Sequence, residues 1–185
     1  SIRAIRDDGI SYIPEDRNKT GAAGNISLWG NMIADIIDSP LLKKHGLLNY
    51  KNIHERADKL ISDFGVLCQN DDQPIGMLSG GNMQKVVVAR EFSSDPKLLI
   101  ANQPTRGIDV GANEFIWKKI IEQRDAGKGV ILISADLNEI MELSDSILVM
   151  CGGQAAAYFE DAKKVDEFEL GNYMLGLKRQ EEMNA

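Results

Sequence analysis

The sequence predicts an α/β fold, a parallel sheet into which a helical segment is inserted. Short, continuous apolar runs lie at residues 97–101, 129–134 and 146–150, and runs of this kind are typical of strands buried on both faces. Between them, residues 112–126 and 137–143 carry apolar side chains at helical spacing. Strands that alternate with helices at this spacing indicate a parallel sheet.

The N-terminal part adds one more strand and the insertion. Residues 10–13 form a short apolar stretch that ends at Pro14, a residue that cannot continue a central ladder. Residues 22–77 then have helical character. Ser27 is a predicted helix cap, and residues 51–64 form an amphipathic helix with one apolar face.

Composition excludes several classes of protein. The net charge of −7 argues against a broad nucleic-acid interface, which needs clustered Lys and Arg. Cys68 and Cys151 lie far apart, so the sequence indicates neither a disulfide framework nor a cysteine-rich zinc site. No apolar run approaches the ~20 residues that span a bilayer. We therefore expect any membrane association to go through a partner.

The run LSGGNMQ at residues 78–84 is the first motif that indicates chemistry. Ser79 can cap the helix that follows, and glycines at 80 and 81 leave backbone N–H groups at the helix N-terminus open to an anion. Bulkier residues there would block a phosphate. A Ser-Gly-Gly at a helix start can also be a simple cap. The run resembles the signature sequence of ABC ATPases, LSGGQ or LSGGN.

Three further runs resemble the same family in the same order. Residues 98–112, ending in NQPTRGIDVGA, are similar to the Walker B strand and D-loop, and ISADL at 133–137 stands where the switch-histidine loop follows the next strand. IPEDR at 13–17 stands where other members have the Q-loop. With TRG at 105–107, it resembles the second ATPase half of twin-domain subunits that serve monosaccharide and nucleoside importers. The NQP and EFI variants (the latter at 114–116) are closer to the nucleoside branch.

The resemblance implies a truncated P-loop NTPase fold with an inserted α-helical subdomain. It divides the chain into a core strand with the Q-loop equivalent, the helical subdomain, the signature helix with the RecA-like core, and a tail: 1–21, 22–77, 78–160 and 161–185. The tail is expected to be a short packed helix followed by a frayed end. No G-x-x-x-x-G-K-[ST] occurs. We expect that the chain is an excised fragment whose phosphate loop lies N-terminal to it.

Four positions depart from the family pattern. The Walker B Asp, which helps hold magnesium, is Asn102, and the Glu that polarises the attacking water is Gln103. The switch histidine is Ala135, and the Q-loop Gln is Glu15. An engineered trap would need only one such change, whereas several together favour a naturally degenerate site. We therefore predict no catalytic residue and no metal ligand in this chain.

An intact signature beside a degenerate site implies a division of labour. ABC ATPases work as head-to-tail pairs, so this half would complete the ATP site of the first half. Its contacts would come from five residues: Ser79, Gly80, Gly81, Asn82 and Asp109.

In the full-length subunit the resemblance implies ATP and Mg²⁺ as cofactors. It implies the first ATP-binding domain of the same subunit and the transmembrane permease subunits as partners. A substrate-binding protein would be engaged only indirectly, and nucleic acid not at all. The subunit would be peripheral, at the cytoplasmic face of the membrane, and the fragment alone would be inactive.

Two other readings stay open at this stage. One is an autonomous ATPase domain, which would have to turn over despite the changes at 102, 103 and 135. The other is a soluble, non-transport ABC protein acting on ribosomes or DNA, which predicts a basic extension that this acidic chain does not show. Residues 25–48 of the insertion are where a contact with the membrane subunit would be sought.

Overall fold

The computed structural model describes residues 1–180, which form two compact units, Ser1–Ile133 and the part of Ser134–Ala185 up to residue 180. The helices are α1 Ile2–Asp7, α2 Leu28–Met32, α3 Tyr50–Asp63, α4 Gly80–Ser93, α5 Val110–Asp125, α6 Leu137–Leu143 and α7 Glu167–Met174. The strands are β1 Ile10–Ile13, β2 Lys43–Lys44, β3 Leu47–Leu48, β4 Leu98–Asn102, β5 Gly129–Ile133, β6 Ile147–Cys151 and β7 Gln154–Phe159. The predicted α/β class is confirmed.

The first unit is built on a three-stranded parallel sheet with the order β1-β4-β5. Ile10 pairs with Leu98, and Leu98 pairs in turn with Gly129. Parallel neighbours need long crossovers, and here helices supply them. The carboxyl ends of all three strands therefore meet at one edge, where the segments after β1 and β4 lie.

The strands of this sheet are buried on one face, so the prediction of burial on both faces was wrong. Leu99 and Ala101 are 0% exposed, whereas Ile131 and Ile133 are 48% and 47% exposed. Successive side chains of a strand point to opposite faces. Helices α4 and α5 cover one face, and within the described residues the apolar side chains of the other face remain open to solvent.

Helix α4 is the centre of the first unit. Val86, Val87, Val88 and Ala89 follow one another along it and are all buried, so the helix is enclosed on all sides. Its core cluster joins β1, β4, α5 and the insertion through Ile13, Leu99 and Ile116, among others. The signature run is therefore the start of the most buried helix of the unit, which fixes it firmly to the core.

The insertion has the predicted long helix, α3, and the helix that Ser27 caps, α2, is short. Ser27 caps α2 by accepting a hydrogen bond from the N–H of Gly30 at 3.2 Å. The helix ends at Met32, and the chain continues in tighter turns in which the N–H of Ile36 bonds to the carbonyl of Ile33. Leu28, Met32 and Ile36 are four residues apart, so this apolar spacing continues past the end of the helix.

The second unit contains an antiparallel hairpin of β6 and β7. Gly152 and Gly153 join the strands with φ of +59° and +77°, a turn that non-glycine residues rarely adopt. We predicted that 146–150 continues the parallel sheet, but its strand partner is β7. The predicted helix in the tail is present as α7, and the predicted frayed end falls on residues 181–185, outside the described residues.

No helix among residues 1–180 has both the length and the apolar composition needed to cross a membrane. The four-part division of the chain stays a prediction.

Candidate functional site

The start of α4 is held by Ser79, the predicted cap. Its Oγ accepts hydrogen bonds from the backbone N–H of Asn82 at 3.4 Å and from the Asn82 side-chain amide at 3.0 Å. The Asn82 Oδ1 in turn accepts from the N–H of Leu67 at 2.8 Å. The N–H groups of a first helical turn have no partner within the helix. Ser79 is exposed, so this end of α4 is accessible to an anion.

Gly80 and Gly81 are required by contacts within the chain. A Cβ at Gly81 would lie 2.7 Å from Oδ2 of Asp109 and 3.0 Å from Cβ of Ala112. A Cβ at Gly80 would lie 2.7 Å from Nη2 of Arg17. The sequence argument gave these glycines a role in phosphate access, which stays a prediction. The structure adds that they let two neighbouring segments approach the helix start.

Asp109 caps the helix that follows the second motif. Its Oδ1 accepts a hydrogen bond from the N–H of Ala112 at 2.9 Å, and its carboxylate lies beside Gly81. This cap explains why an acidic residue stands at the start of α5. The predicted contact of Asp109 with nucleotide stays a prediction.

Asn102 and Gln103 lie at the carboxyl end of β4. The Asn102 side-chain amide donates a hydrogen bond of 3.3 Å to the hydroxyl of Tyr12. Gln103 has a φ of +50°, and its N–H bonds to the carbonyl of Ile133 at 2.8 Å. Neutral amides supply neither a charged metal ligand nor a base. Asp109 is the sole carboxylate in the stretch 102–109, and it is occupied as a helix cap.

Glu15, the predicted equivalent of the Q-loop Gln, forms an ion pair with Arg106. Both side chains are largely exposed, so the pair contributes little to stability. The contact nevertheless joins the segment after β1 to the segment after β4. Arg106 therefore compensates the negative charge that the sequence introduces at Glu15.

Arg17 is a residue to which the sequence argument assigned no role. Its Nη1 donates to the carbonyl of Arg106 at 2.8 Å and its Nη2 to the carbonyl of Gly107 at 3.1 Å. The same Nη2 is the atom nearest to Gly80. IPEDR was recognised as a run, but contacts between residues 89 and 90 positions apart leave no local signal in a sequence.

Gln84 is a second residue whose contact was missed. Its Nε2 donates to the carbonyl of Pro104 at 2.7 Å, and the side chain is 2% exposed. A buried amide in an apolar helix indicates a hydrogen-bonding partner, but the sequence does not say which one. The contact ties the signature helix to the turn after β4.

Ala135 lies in the second unit, in the short segment between β5 and α6, and its methyl group is exposed. Asp136 next to it caps α6 by accepting from the N–H of Asn138 at 2.9 Å. The carboxylate of Asp136 therefore has a structural role at the start of α6. Alanine at 135 offers neither a donor nor an acceptor.

The ligating atoms of His54, Asp71 and Asp72 lie within 4.8 Å of one another. His54 Nδ1 is 2.5 Å from Oδ2 of Asp71, and Asp72 accepts a hydrogen bond of 2.9 Å from the indole N–H of Trp29. Hydrogen bonding to Asp71 raises the pKa of His54. These pairwise contacts account for the cluster, which joins α3 to the segment before the signature run.

Comparison with curated proteins gives relatives along nearly the whole chain. The chain is 43% identical over 178 residues to the glucose import ATP-binding protein TsgD13 of Haloferax volcanii, covering 95% of this chain and 32% of the relative. It is 41% identical to the guanosine import ATP-binding protein NupO of Bacillus subtilis, covering 97% of this chain and 35% of that one. A nucleoside import ATP-binding protein of Lactococcus lactis is 38% identical, with 94% and 34% covered. The chain thus spans about a third of the length of these relatives.

Solved structures agree in fold. A dimeric ATP-binding cassette in a post-hydrolysis state, bound to ADP and phosphate, matches with a TM-score of 0.70 at 22% identity, covering 87% of this chain and 66% of the other. A nucleotide-free cassette matches with a TM-score of 0.68, also at 22% identity, covering 98% and 69%. No family model matches the chain.

Proposed function

The chain is homologous to a segment of the ATP-binding proteins of sugar and nucleoside importers and has the fold of an ABC ATPase cassette, and we propose that it belongs to the second ATP-binding half of such a subunit. In this proposal residues 78–84 complete an ATP site whose phosphate loop belongs to the first half. One observation carries the proposal: the start of α4 is capped and accessible, whereas the catalytic positions at 102 and 103 hold amides.

At the completed site this chain would contribute electrostatic stabilisation of the ATP phosphates. The positive end of the α4 dipole and the N–H groups of its first turn would face the γ-phosphate of ATP. Ser79 and Asn82 would orient that turn, since they already bond to one another. Asp109 would fix the distance between α4 and α5 by its contact with Gly81.

The chain's own site does not fit a catalytic magnesium ion. Mg²⁺ prefers carboxylate and phosphate oxygens, and Asn102 offers an amide that already bonds to Tyr12. Gln103 lacks the charge to polarise water. In this proposal the ATP that turns over, with its Mg²⁺, is bound at the site of the first half, which residues 78–84 of this chain complete.

The transported solute in this proposal is a nucleoside or a simple sugar, as the names of the relatives state for those proteins. The partners are the first ATP-binding domain and transmembrane permease subunits, through which the subunit would sit at the cytoplasmic face. The exposed apolar side chains of Leu41 and Leu47 in the insertion support a contact with such a partner.

The test is the ATPase activity of the full-length subunit carrying Ser79→Asp, with Ser79→Asn as its matched control. Both side chains cap helices well, so the start of α4 is retained in each variant. They differ in one negative charge that would face the γ-phosphate. We expect Ser79→Asp to lower activity at least about tenfold relative to Ser79→Asn. Gly81 is a poorer target because any Cβ there contacts Asp109.

A second arm tests the degenerate site. Gln103→Asn shortens the side chain at the position of the catalytic Glu and keeps a residue type that tolerates positive φ. We expect activity within about twofold of the parent, because in this proposal no hydrolysis takes place at this chain's own site. Equal activity of Ser79→Asp and Ser79→Asn would contradict the proposed role of the signature run. A large loss in Gln103→Asn would instead support turnover at this chain's own site.

A further inference from the structure

We propose that Arg17 is a positioning residue that holds the 104–109 segment against the signature glycine Gly80. The inference rests on the proposed function, because it concerns how residues 78–84 are presented to ATP. Its structural basis is a set of contacts that join the segment after β1, the segment after β4 and the start of α4.

The first contact is a fork. The two terminal nitrogens of Arg17 donate to the carbonyls of consecutive residues, Arg106 at 2.8 Å and Gly107 at 3.1 Å. A planar guanidinium can bond two neighbouring oxygens at once, whereas an ammonium acts as a point charge. The geometry therefore uses arginine specifically, and lysine would keep the charge but lose the two-point hold.

The second contact is the close approach of the Arg17 guanidinium to Gly80, which has no side chain to block it. The atom nearest to a Cβ there is Nη2 of Arg17 at 2.7 Å, followed by the Arg17 Cζ and the carbonyl oxygen of Gly107, each at 3.5 Å. Arg17 thus lies between the signature run and the 106–107 turn. Since Nη2 is the end of a flexible side chain, a methyl at position 80 would displace the guanidinium from its two carbonyls.

The backbone at Arg17 is also held in place, by the cap of the turn that begins there. Asp16 accepts hydrogen bonds from the N–H groups of Asn18 at 3.0 Å and Lys19 at 3.1 Å, and so caps the turn Arg17–Gly21. Those backbone bonds lower the pKa of Asp16, the largest cause being the bond from Lys19. The Nε of Arg17 is buried without a hydrogen-bond partner, a cost that the two terminal contacts must offset.

These contacts have different expected effects on stability and on activity. The carbonyls of Arg106 and Gly107 belong to exposed residues and can turn to water when Arg17 is lost, so unfolding changes little. The signature run would lose its fixed position relative to the 104–109 segment. Misplacement of a positioning element by about 1 Å can cost on the order of a hundredfold in rate.

The experiment measures ATP hydrolysis by the full-length subunit carrying Arg17→Ala, Arg17→Lys, Gly80→Ala and the double variant Arg17→Ala with Gly80→Ala. We expect kcat to fall about tenfold or more in each single variant, lysine included, with the KM for ATP changed less. The double variant should be no worse than the poorer single variant, within about twofold, because both changes remove the same contact. Melting temperatures should stay within a few degrees of the parent.

Arg179→Ala is the control, since Arg179 is an exposed arginine that, like Arg17, bonds to a backbone carbonyl, here that of Cys151 at 3.4 Å. It should leave activity unchanged. Activity of Arg17→Ala within twofold of the parent, or losses that multiply in the double variant, would overturn the inference. So would full activity of Arg17→Lys.

The Ser79 pair separates this inference from the proposed function. A loss in Ser79→Asp with normal activity in Arg17→Ala overturns the role of Arg17 alone. If Ser79→Asp and Ser79→Asn are equally active, the proposed function fails.

Discussion

Gln84 and Pro104 are joined by a buried hydrogen bond of 2.7 Å, from the side-chain amide of the first to the carbonyl oxygen of the second. Proline is the residue that follows Gln103, so this bond holds the end of β4 to the second turn of α4. The Oε1 of Gln84 has no hydrogen-bond partner in the structure. The Gln84 side chain therefore acts as a hydrogen-bond donor, through Nε2 to the carbonyl oxygen of Pro104.

Gln84→Glu is predicted to destabilise the first unit in a pH-dependent way. A carboxylate would face the carbonyl of Pro104 with no donor, so the group would take up a proton in the folded state and its pKa would rise. Each unit by which the folded pKa exceeds the unfolded pKa costs about 1.4 kcal/mol of stability at pH values above both. We expect a loss of about 3 kcal/mol at pH 7 that shrinks to about 1 kcal/mol at pH 5, where the unfolded chain is also partly protonated.

Urea unfolding followed by tryptophan fluorescence measures this loss, since Trp29 and Trp117 both lie in the first unit. Gln73→Glu is the control. The Gln73 Oε1 accepts a hydrogen bond from the N–H of Gln69 at 2.9 Å, a role that a carboxylate fills equally well. Equal losses in the two variants, or a loss in Gln84→Glu that does not change with pH, would contradict the assignment of Gln84 as a donor.

The backbone conformation of Gln103 predicts which substitutions at this position lower stability. Its φ of +50° lies in the left-handed region, which bulky β-branched residues avoid and Asn tolerates. We expect Gln103→Val to be less stable than Gln103→Asn by about 1–2 kcal/mol. Denaturant midpoints of the two variants give the difference. Equal midpoints would mean that the turn after β4 relaxes freely, and the bond from Gln103 N–H to the Ile133 carbonyl would not hold it.

The extent to which the sequence predicts this structure depends on how local each feature is. The caps Ser27 and Ser79 were predictable because a helix cap involves residues two or three positions apart. The exposure of Ile131 and Ile133 was not predictable, because an apolar run looks the same whether one face of the strand or both are covered. The pairing of β6 with β7 has a local signal, since Gly152-Gly153 is typical of a tight hairpin turn, whereas the residues of β6 alone do not show that its partner is antiparallel.

The same reasoning applies to the candidate site. The positions of Asn102, Gln103 and Ser79 followed from motif spacing along the chain. The contacts of Arg17 and Gln84 join residues 20 to 90 positions apart, and nothing in their local sequence names the acceptor. Sequence patterns therefore locate the groups that could face a ligand, whereas the side chains that hold those groups in place require the fold.

His54 predicts a pH dependence in the insertion. Its pKa is raised, chiefly by the hydrogen bond to Asp71 and further by the charges of Asp71, Asp72 and Asp58. A raised folded pKa means that the protonated form is favoured by folding. The stabilisation is complete below the unfolded value of about 6.5 and is lost as pH rises through the folded pKa. We expect the melting temperature difference between the parent and His54→Asn to shrink as pH rises above neutrality.

His45→Asn is the control for this effect. His45 lies in an exposed turn with a φ of +52°, which Asn accepts, so this variant measures a His-to-Asn change made away from Asp71. NMR titration of the His54 imidazole provides a direct check. A titration midpoint of His54 at or below its ordinary value would contradict the contact with Asp71.

Asp35 and Asp38 are predicted to respond in opposite directions to the same substitution. Asp35 has a side chain that is 3% exposed, and both of its oxygens lack hydrogen-bond partners. Burial, and then the charge of Glu91, raise its pKa against the opposing effects of Arg6 and Arg90. Asp38 is paired with Arg3 at 2.7 Å and Lys43 at 3.4 Å, and the hydrogen bond from Arg3 is the largest cause of its lowered pKa.

The signs follow from linkage. A carboxyl with a raised folded pKa costs stability once pH exceeds its unfolded value, so Asp35→Asn should raise the melting temperature at pH 7, and this gain should vanish as pH falls below about 3.9. A carboxyl with a lowered folded pKa adds stability that is lost as pH falls through that pKa. Asp38→Asn should therefore lower the melting temperature slightly at pH 7. Melting curves of both variants from pH 3 to pH 7 test the pair, and a rise for Asp38→Asn or a fall for Asp35→Asn at pH 7 would reverse the assignment.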